Sequence, residues 1–380
     1  MSADLIGSLL TEEHLAYRRR CADFAAAEIA PNAERWERSG SFDRALWSRA
    51  GSARLLGPGY PVELGGAGGD VMHSVVATEA FVAFGTSPGV VVGLGTLELA
   101  LPAIMALGDE AQRRRFVSPV LSGERVTALA LTEPGGGSDL QSCTTRAVRD
   151  GAGYRLTGEK RFISSGVQAD QLTVLAQTDG GLTFFIVDKA MTGVRVEAAL
   201  ETSGWRASDT AALSFEDVIV PETHRLGREG SGLLCLMKTI HTERILLAAQ
   251  GVAIASLALD LATARARQRE AFGQPIGAFQ VIRHKLAEMA TQVQSARALT
   301  YQVARRLADG AWVSGEVAMA KNHAGAVAQS VCWEAVQIFG GSGCLDDSVV
   351  ARLYRDARIL PIAGGTHEIM NEAIASDLGL

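Results

Sequence analysis

The first stretch able to hold a ligand is a turn, Thr132-Glu133-Pro134-Gly135-Gly136-Gly137-Ser138-Asp139. Proline fixes φ there and the glycines tolerate φ > 0, so the chain can reverse sharply. Thr132 and Ser138 set hydroxyls and backbone N–H groups at its two ends. With no Cβ on the glycines, such a loop can wrap the polar edge of a flat ring at close range. An ordinary turn after a strand reads the same way. The second group that could do chemistry is the carboxylate in His241-Thr242-Glu243-Arg244. A base could act from it, but taken alone a solvated acid in the first turn of a helix, favoured by the dipole, is the better account.

Other chemistries find little support. The seven histidines show no His-x-x-x-His or Cys/His spacing, so no metal site is expected. A dispersed Ser-His-Asp set would not be legible in a sequence. Val90-Val91-Val92-Gly93-Leu94-Gly95 imitates a dinucleotide fingerprint, but Glu98 stands where the third glycine belongs. With 36 basic and 42 acidic residues the net charge is −6, which argues against nucleic acid as the main partner. The five cysteines are scattered without a Cys-x-x-Cys pair, as in a reduced, cytoplasmic protein. Neither a leader at Met1 nor an unbroken apolar run of membrane-spanning length is apparent.

The elements that must position these residues fall into three stretches. Residues 1–120 read as an N-terminal helical domain. Thr11 caps a helix with Glu12 and Glu13 in its first turn and Tyr17, Cys21, Phe24 and Ala25 on one face, ending at Pro31. Residues 121–228 turn to short strands, with Leu172–Ala176 and Leu182–Val187 flanking a hairpin turn at Asp179-Gly180-Gly181, and predict a small barrel or sandwich. Residues 229–380 return to helical period. Ile245, Ala249, Val252, Ser256 and Leu259 trace one face of a long helix, and two further long helices follow at about 275–308 and 313–339. The class is α+β, mainly α, with a β-domain between helical ones.

Beyond the first turn come Gly158-Glu159-Lys160-Arg161-Phe162-Ile163-Ser164, Gly204-Trp205-Arg206-Ala207-Ser208-Asp209-Thr210, Arg269-Glu270-Ala271-Phe272-Gly273-Gln274-Pro275-Ile276 and Gln337-Ile338-Phe339-Gly340-Gly341. In this order and at these separations the set resembles the acyl-CoA dehydrogenase family of flavoproteins, over nearly the whole chain. The resemblance implies a C-terminal four-helix bundle, bound FAD, an electron-transfer flavoprotein or similar acceptor, and a homotetramer built as a dimer of dimers. It implies that Thr132 and Ser138 serve the flavin, with Leu129 and Leu131 lining the ring; Ser138 also reaches the substrate. Phe162 stands where the family has Trp, and Ser164 where it has a Thr hydroxyl near the flavin N5. Arg269, Phe272 and Gln280 would reach the FAD of a neighbouring subunit, Gln337 and Gly341 its adenosine half, and Thr366 and Glu368 would also touch the cofactor.

The reaction implied is α,β-dehydrogenation of a saturated acyl thioester, on CoA or an acyl carrier protein. It needs a base for the α-proton and donors at the thioester oxygen. Where many members carry a glutamate near the C-terminus, this chain has Gly364 in Ile362-Ala363-Gly364-Gly365-Thr366. Glu243 matches the position from which long-chain and isovaleryl-type members supply the base. The resemblance therefore assigns it that role, with the Gly364 backbone N–H at the thioester oxygen and Arg244 beside the substrate. A flavin oxidase or monooxygenase, or a flavin scaffold without dehydrogenase activity, remain alternatives on the same fold.

Overall fold

The protein was examined as a computed structural model, which describes residues 4–380. Its first long helix, α1 (Glu12–Phe24), begins as the sequence predicts: the Thr11 hydroxyl accepts the His14 N–H at 3.3 Å, and Nδ1 of His14 accepts the Thr11 N–H at 3.0 Å. Its end differs. The α-helical ladder stops at Phe24 and loosens into a π-turn, Ala25–Ile29, then a 3-10 turn over Ala30–Asn32. Pro31 has no N–H for the carbonyl one turn back, and the ladder opens before reaching it. After shorter helices come α2 (Val71–Gly85), α3 (Pro88–Leu94) and α4 (Leu97–Leu107). The run that imitates a dinucleotide fingerprint is thus α3, with no strand in front of it.

Eight strands follow: β1 (Thr127–Ala130), β2 (Arg146–Asp150), β3 (Gly153–Ser164), β4 (Gln171–Thr178), β5 (Gly181–Asp188), β6 (Val194–Ala199), β7 (Thr210–Pro221) and β8 (Arg225–Leu226). They join one sheet in the order β6-β7-β3-β2-β4-β5-β8, with β1 pairing β4 in parallel. The hairpin at Asp179-Gly180 closes with Thr178 opposite Gly181, whose φ of +110° suits only glycine. Ala128, Tyr154, Val174, Phe185 and Phe215, from five different strands, share one apolar cluster. The sheet therefore curls over its own core. In β3 the register against β7 shifts between Lys160 and Ile163, which turns Phe162 out of the ladder.

The last third is helical: α5 (Gly232–Gln268), α6 (Gln280–Ala308), α7 (Ser314–Phe339), α8 (Val349–Ala357) and α9 (His367–Asp377). Ile245, Ala249 and Val252 are fully buried on the predicted face of α5. α5 and α7 pack closely at Gly251, where a Cβ would stand 2.9 Å from the Ala324 carbonyl oxygen. The helical segments Pro88–Leu107 and Gly232–Gln268 are long and apolar enough to cross a membrane by length and composition, yet most of each is buried within the protein. That is the signature of core helices.

Candidate active site

A cavity of about 850 Å³ lies between the curled sheet, the N-terminal helices and α5. One wall is the turn after β1 together with β3. Leu129, Leu131, Thr132, Ser138, Phe162 and Ser164 all line it, although they come from segments some thirty residues apart. What joins those segments is a buried ion pair. Nζ of Lys160, on β3, donates to Glu133 Oε1 at 2.8 Å and to the Leu131 carbonyl at 2.9 Å. Glu133 also accepts the Thr144 N–H (2.7 Å), the Thr144 hydroxyl (2.6 Å) and the Thr145 N–H (2.9 Å). Burial alone would raise this carboxyl's pKa, but the hydrogen bonds from Lys160, Thr144 and Thr145 more than offset it and hold the group well below the usual carboxylate range. It stays ionised and staked.

Among the turn's glycines, Gly137 is required by size rather than by conformation. Gly135, Gly136 and Gly137 all keep ordinary φ, contrary to the expectation of left-handed corners. A Cβ on Gly137 would lie 3.2 Å from Thr132 Cγ2, so glycine keeps that hydroxyl residue in place. The left-handed residue is instead Phe162, at φ +61°, a strained conformation for an aromatic. Its ring is 61 % exposed on the cavity wall, with the Arg161 guanidinium 5.3 Å from the ring centre. An aromatic face held out at a conformational cost implies a flat ligand to cover it.

Glu243 forms the opposite wall. It sits about three turns inside α5, not in a first turn, because the helix starts at Gly232. The solvated first-turn account of this residue therefore falls away. Its pKa is pushed up to about 7 by burial, against the pull of the Arg244 and Lys321 charges. Among the described residues it makes no hydrogen bond that would fix it in the ionised form. Gly364 lies against it: a Cβ there would stand 3.2 Å from Glu243 Oε1 and 2.6 Å from Leu247 Cδ1. Only glycine suits φ +66° and this space.

Two cations, Lys321 buried and Arg244 half-buried, hold the loop carrying Gly364. Arg244 Nε donates to the Gly364 carbonyl at 3.1 Å. Lys321 Nζ, from α7, donates to the Gly365 carbonyl at 2.7 Å and the Leu360 carbonyl at 3.1 Å. With these carbonyls tied back, the Gly364 N–H has no protein acceptor among the described residues. Lys321 is itself drawn down to about 8 by burial and by Arg244, with Glu243 opposing. Sequence reasoning missed it. Its only signal was a lysine inside the small apolar run Val317-Ala318-Met319-Ala320. Lys160 was visible in a motif, but not as the partner of Glu133.

The remaining expected residues lie elsewhere. Thr366 lines the cavity while its hydroxyl caps α9 through the Ile369 N–H, and Glu368 points outward from the first turn of that helix. Arg269 and Phe272 sit on a two-stranded ribbon, Glu270-Ala271 against Gln274-Pro275, whose tip leaves Phe272 95 % exposed. Gln280, Gln337 and Gly341 are exposed as well, and none of these outer residues lines the cavity of the same chain. Trp205 does line it, with its backbone N–H donating to Asp356 Oδ1 at 2.6 Å, while Arg206 pairs with Asp346 at 3.1 Å. His14 and the Asp70/His73 pair, far apart in sequence, bring ligand-type atoms within 4.8 Å of one another. Both histidines are engaged as helix caps, each Nδ1 accepting a backbone N–H.

The donor set fits a flavin: an exposed aromatic face, the Thr132 and Ser164 hydroxyls and a close-approach turn on one wall, and room opposite for a substrate between that wall and Glu243. Comparison with known proteins agrees. The chain matches the acyl-CoA dehydrogenase N-terminal domain over residues 11–124, the middle domain over 128–218 and the C-terminal domain over 230–379. It is 36 % identical to the mitochondrial isovaleryl-CoA dehydrogenase of Solanum tuberosum, covering 97 % of this chain and 91 % of that one. With the mitochondrial long-chain specific acyl-CoA dehydrogenase of Sus scrofa it shares 34 % identity, over 98 % and 88 %. The crystal structure of a probable acyl-CoA dehydrogenase from Mycobacterium abscessus superposes with a TM-score of 0.96 at 46 % identity, covering 98 % of this chain and 100 % of that one. The chain belongs to the acyl-CoA dehydrogenase family.

Proposed function

We propose that Glu243 is the base in the FAD-dependent α,β-dehydrogenation of acyl-CoA that this enzyme carries out. One observation carries the assignment: Glu243 Oε1 lies beside Gly364, whose N–H is free, in the cavity that Phe162, Thr132 and Ser164 line from the other side. A thioester oxygen accepting the Gly364 N–H would bring its α-carbon to Glu243. The carboxylate takes the α-proton, and the N–H stabilises the enolate-like charge that gathers on the oxygen. Arg244 and Lys321 keep that N–H aimed by holding the Gly364 and Gly365 carbonyls that follow it and the Leu360 carbonyl that precedes it. Bound FAD supplies an acceptor for the β-hydrogen and its electron pair, so the product is the trans-2-enoyl thioester. Leu129, Leu131, Thr132, Ser138, Phe162 and Ser164 would hold the flavin ring.

The exposed ribbon at Arg269 and Phe272, with Gln280, Gln337 and Gly341, supports a site completed by a neighbouring chain, as in a homotetramer. An arginine fork there suits a pyrophosphate. Electrons would leave to an electron-transfer flavoprotein or a similar acceptor. The five free cysteines support a reducing, cytoplasmic setting.

The test is anaerobic bleaching of flavin absorbance by saturated acyl-CoAs, for wild type and Glu243→Gln. Bleaching in the wild type that is lost in the variant, with FAD still bound, establishes the base. Equal bleaching in both would overturn it. Rapid oxygen consumption without an added acceptor would turn the reading to an oxidase.

A further inference from the structure

Beside Glu133 and Glu243, a third carboxylate faces the same cavity and has no work in the reaction. Glu98, on α4, lines both the main cavity and a small apolar annex beneath the N-terminal helices. Leu246 lines both as well, one helical turn beyond Glu243 along α5. Glu98 therefore lies along the path an acyl chain would follow from a thioester held at Gly364. Its Oε1 is buried and has no hydrogen-bond partner among the described residues. Burial raises its pKa to about 7, and no neighbouring charge among the described residues opposes this.

The Tyr17 and Tyr60 phenols are near enough to feel the Glu98 charge, but Tyr17 donates to the Arg54 carbonyl and neither is hydrogen-bonded to Glu98 among the described residues. Val91, Leu99, Leu131 and Leu247 are apolar, the Thr78 hydroxyl donates to the Ser74 carbonyl at 2.9 Å, and Gln250 Nε2 donates to the Pro88 carbonyl at 3.2 Å. A wholly hydrocarbon tail would fill this space and leave a buried acceptor unpaired, a cost that leucine at the same position would avoid. Against a substrate with a donor, the same carboxylate becomes a specificity contact.

We propose that Glu98 selects acyl groups that carry a hydrogen-bond donor, a hydroxyl or a protonated amine, on their distal carbons. The proposal deepens the assigned reaction and rests on its placement of the thioester head at Gly364. It is tested by binding rather than turnover. Calorimetric titration of the FAD-loaded Glu243→Gln protein would compare methyl-ended, hydroxyl-ended and amine-ended acyl-CoAs of graded length. At the length that reaches Glu98, a donor-ended thioester should bind at least about tenfold tighter than its methyl-ended counterpart, the scale set by an unpaired buried acceptor. Adding Glu98→Leu should invert that preference. Adding Glu98→Gln, nearly isosteric and still an acceptor, should keep a hydroxyl preference and lose an amine preference, which separates the two donors and serves if the leucine variant does not fold.

Methyl-ended chains that bind as tightly as donor-ended ones at every length would overturn the proposal. So would a donor preference that survives Glu98→Leu. Flavin bleaching in the Glu243-intact protein reports separately on the base. Equal bleaching in the wild type and Glu243→Gln, with binding preferences intact, would strike Glu243 and leave Glu98 standing.

Discussion

Glu133 and Glu243 stand in opposite walls of one cavity, and the protein treats them in opposite ways. Glu133 is surrounded by donors from Lys160, Thr144 and Thr145, and its pKa falls well below that of a free carboxylate. Glu243 has two cations nearby but no hydrogen bond that fixes it, and its pKa rises to about 7. A carboxylate saturated with donors is a scaffold, because removing its charge costs every bond at once. A carboxylate kept desolvated and unsaturated is poised to exchange a proton near neutral pH. The difference lies in the partners rather than in depth.

Each prediction strains one side of this contrast. The largest effect is expected for Glu243→Gln, with the rate of flavin reduction falling about 10²- to 10⁴-fold in stopped-flow measurements while the folded protein is retained. Lys160→Met should instead leave activity chemistry intact in principle and unfold the protein more easily. It strands a buried charge on Glu133, at about 3–5 kcal/mol in denaturant unfolding, and the double variant Lys160→Met/Glu133→Leu should recover much of that. An equal loss in the double variant would show that the pair itself, not the stranded charge, stabilises the wall.

Gly364→Ala forces a Cβ to φ +66° against Leu247 and Glu243, and should cost about 1–3 kcal/mol shared between stability and transition-state binding, read from melting and kcat/KM. A smaller effect is expected in the pH profile. Glu243 must be ionised to accept a proton, so kcat/KM should rise with pH through about 7 and level above it. Because Lys321 lowers that pKa, Lys321→Met should move the rising limb to higher pH. The same raised pKa makes the group's contribution to stability full below the unfolded carboxylate's value and lost as pH rises through about 7. Least of all, Phe272→Ala should shift the chain's own stability by less than about 0.5 kcal/mol, since the ring is exposed, while weakening FAD retention if a second chain completes the site.

Much of this was legible in the residue order. The predicted third and fourth long helices near 275–308 and 313–339 are α6 and α7, because long amphipathic repeats and flanking Gly and Pro carry their own signal. The hairpin at Asp179-Gly180 was equally plain. Pro31 misled, since the ladder gave way before it, and none of the first turn's glycines takes a positive φ, with space the reason for Gly137. For Glu243 the sequence could weigh two accounts but not place the residue relative to the start of its helix, which lies well upstream at Gly232.

By itself, then, the sequence determined what depends on spacing along the chain: the helices and strands, the ligand-bearing turn, and the absence of an acid at Gly364 that directs attention to Glu243. Tertiary structure alone decided which charges meet. Lys160 finds Glu133, Lys321 finds the Gly364 loop, and Glu98 finds no partner, each through contacts between segments remote in sequence. Pairing and desolvation set a carboxylate's proton affinity, and both are properties of packing, which no local pattern of residues encodes.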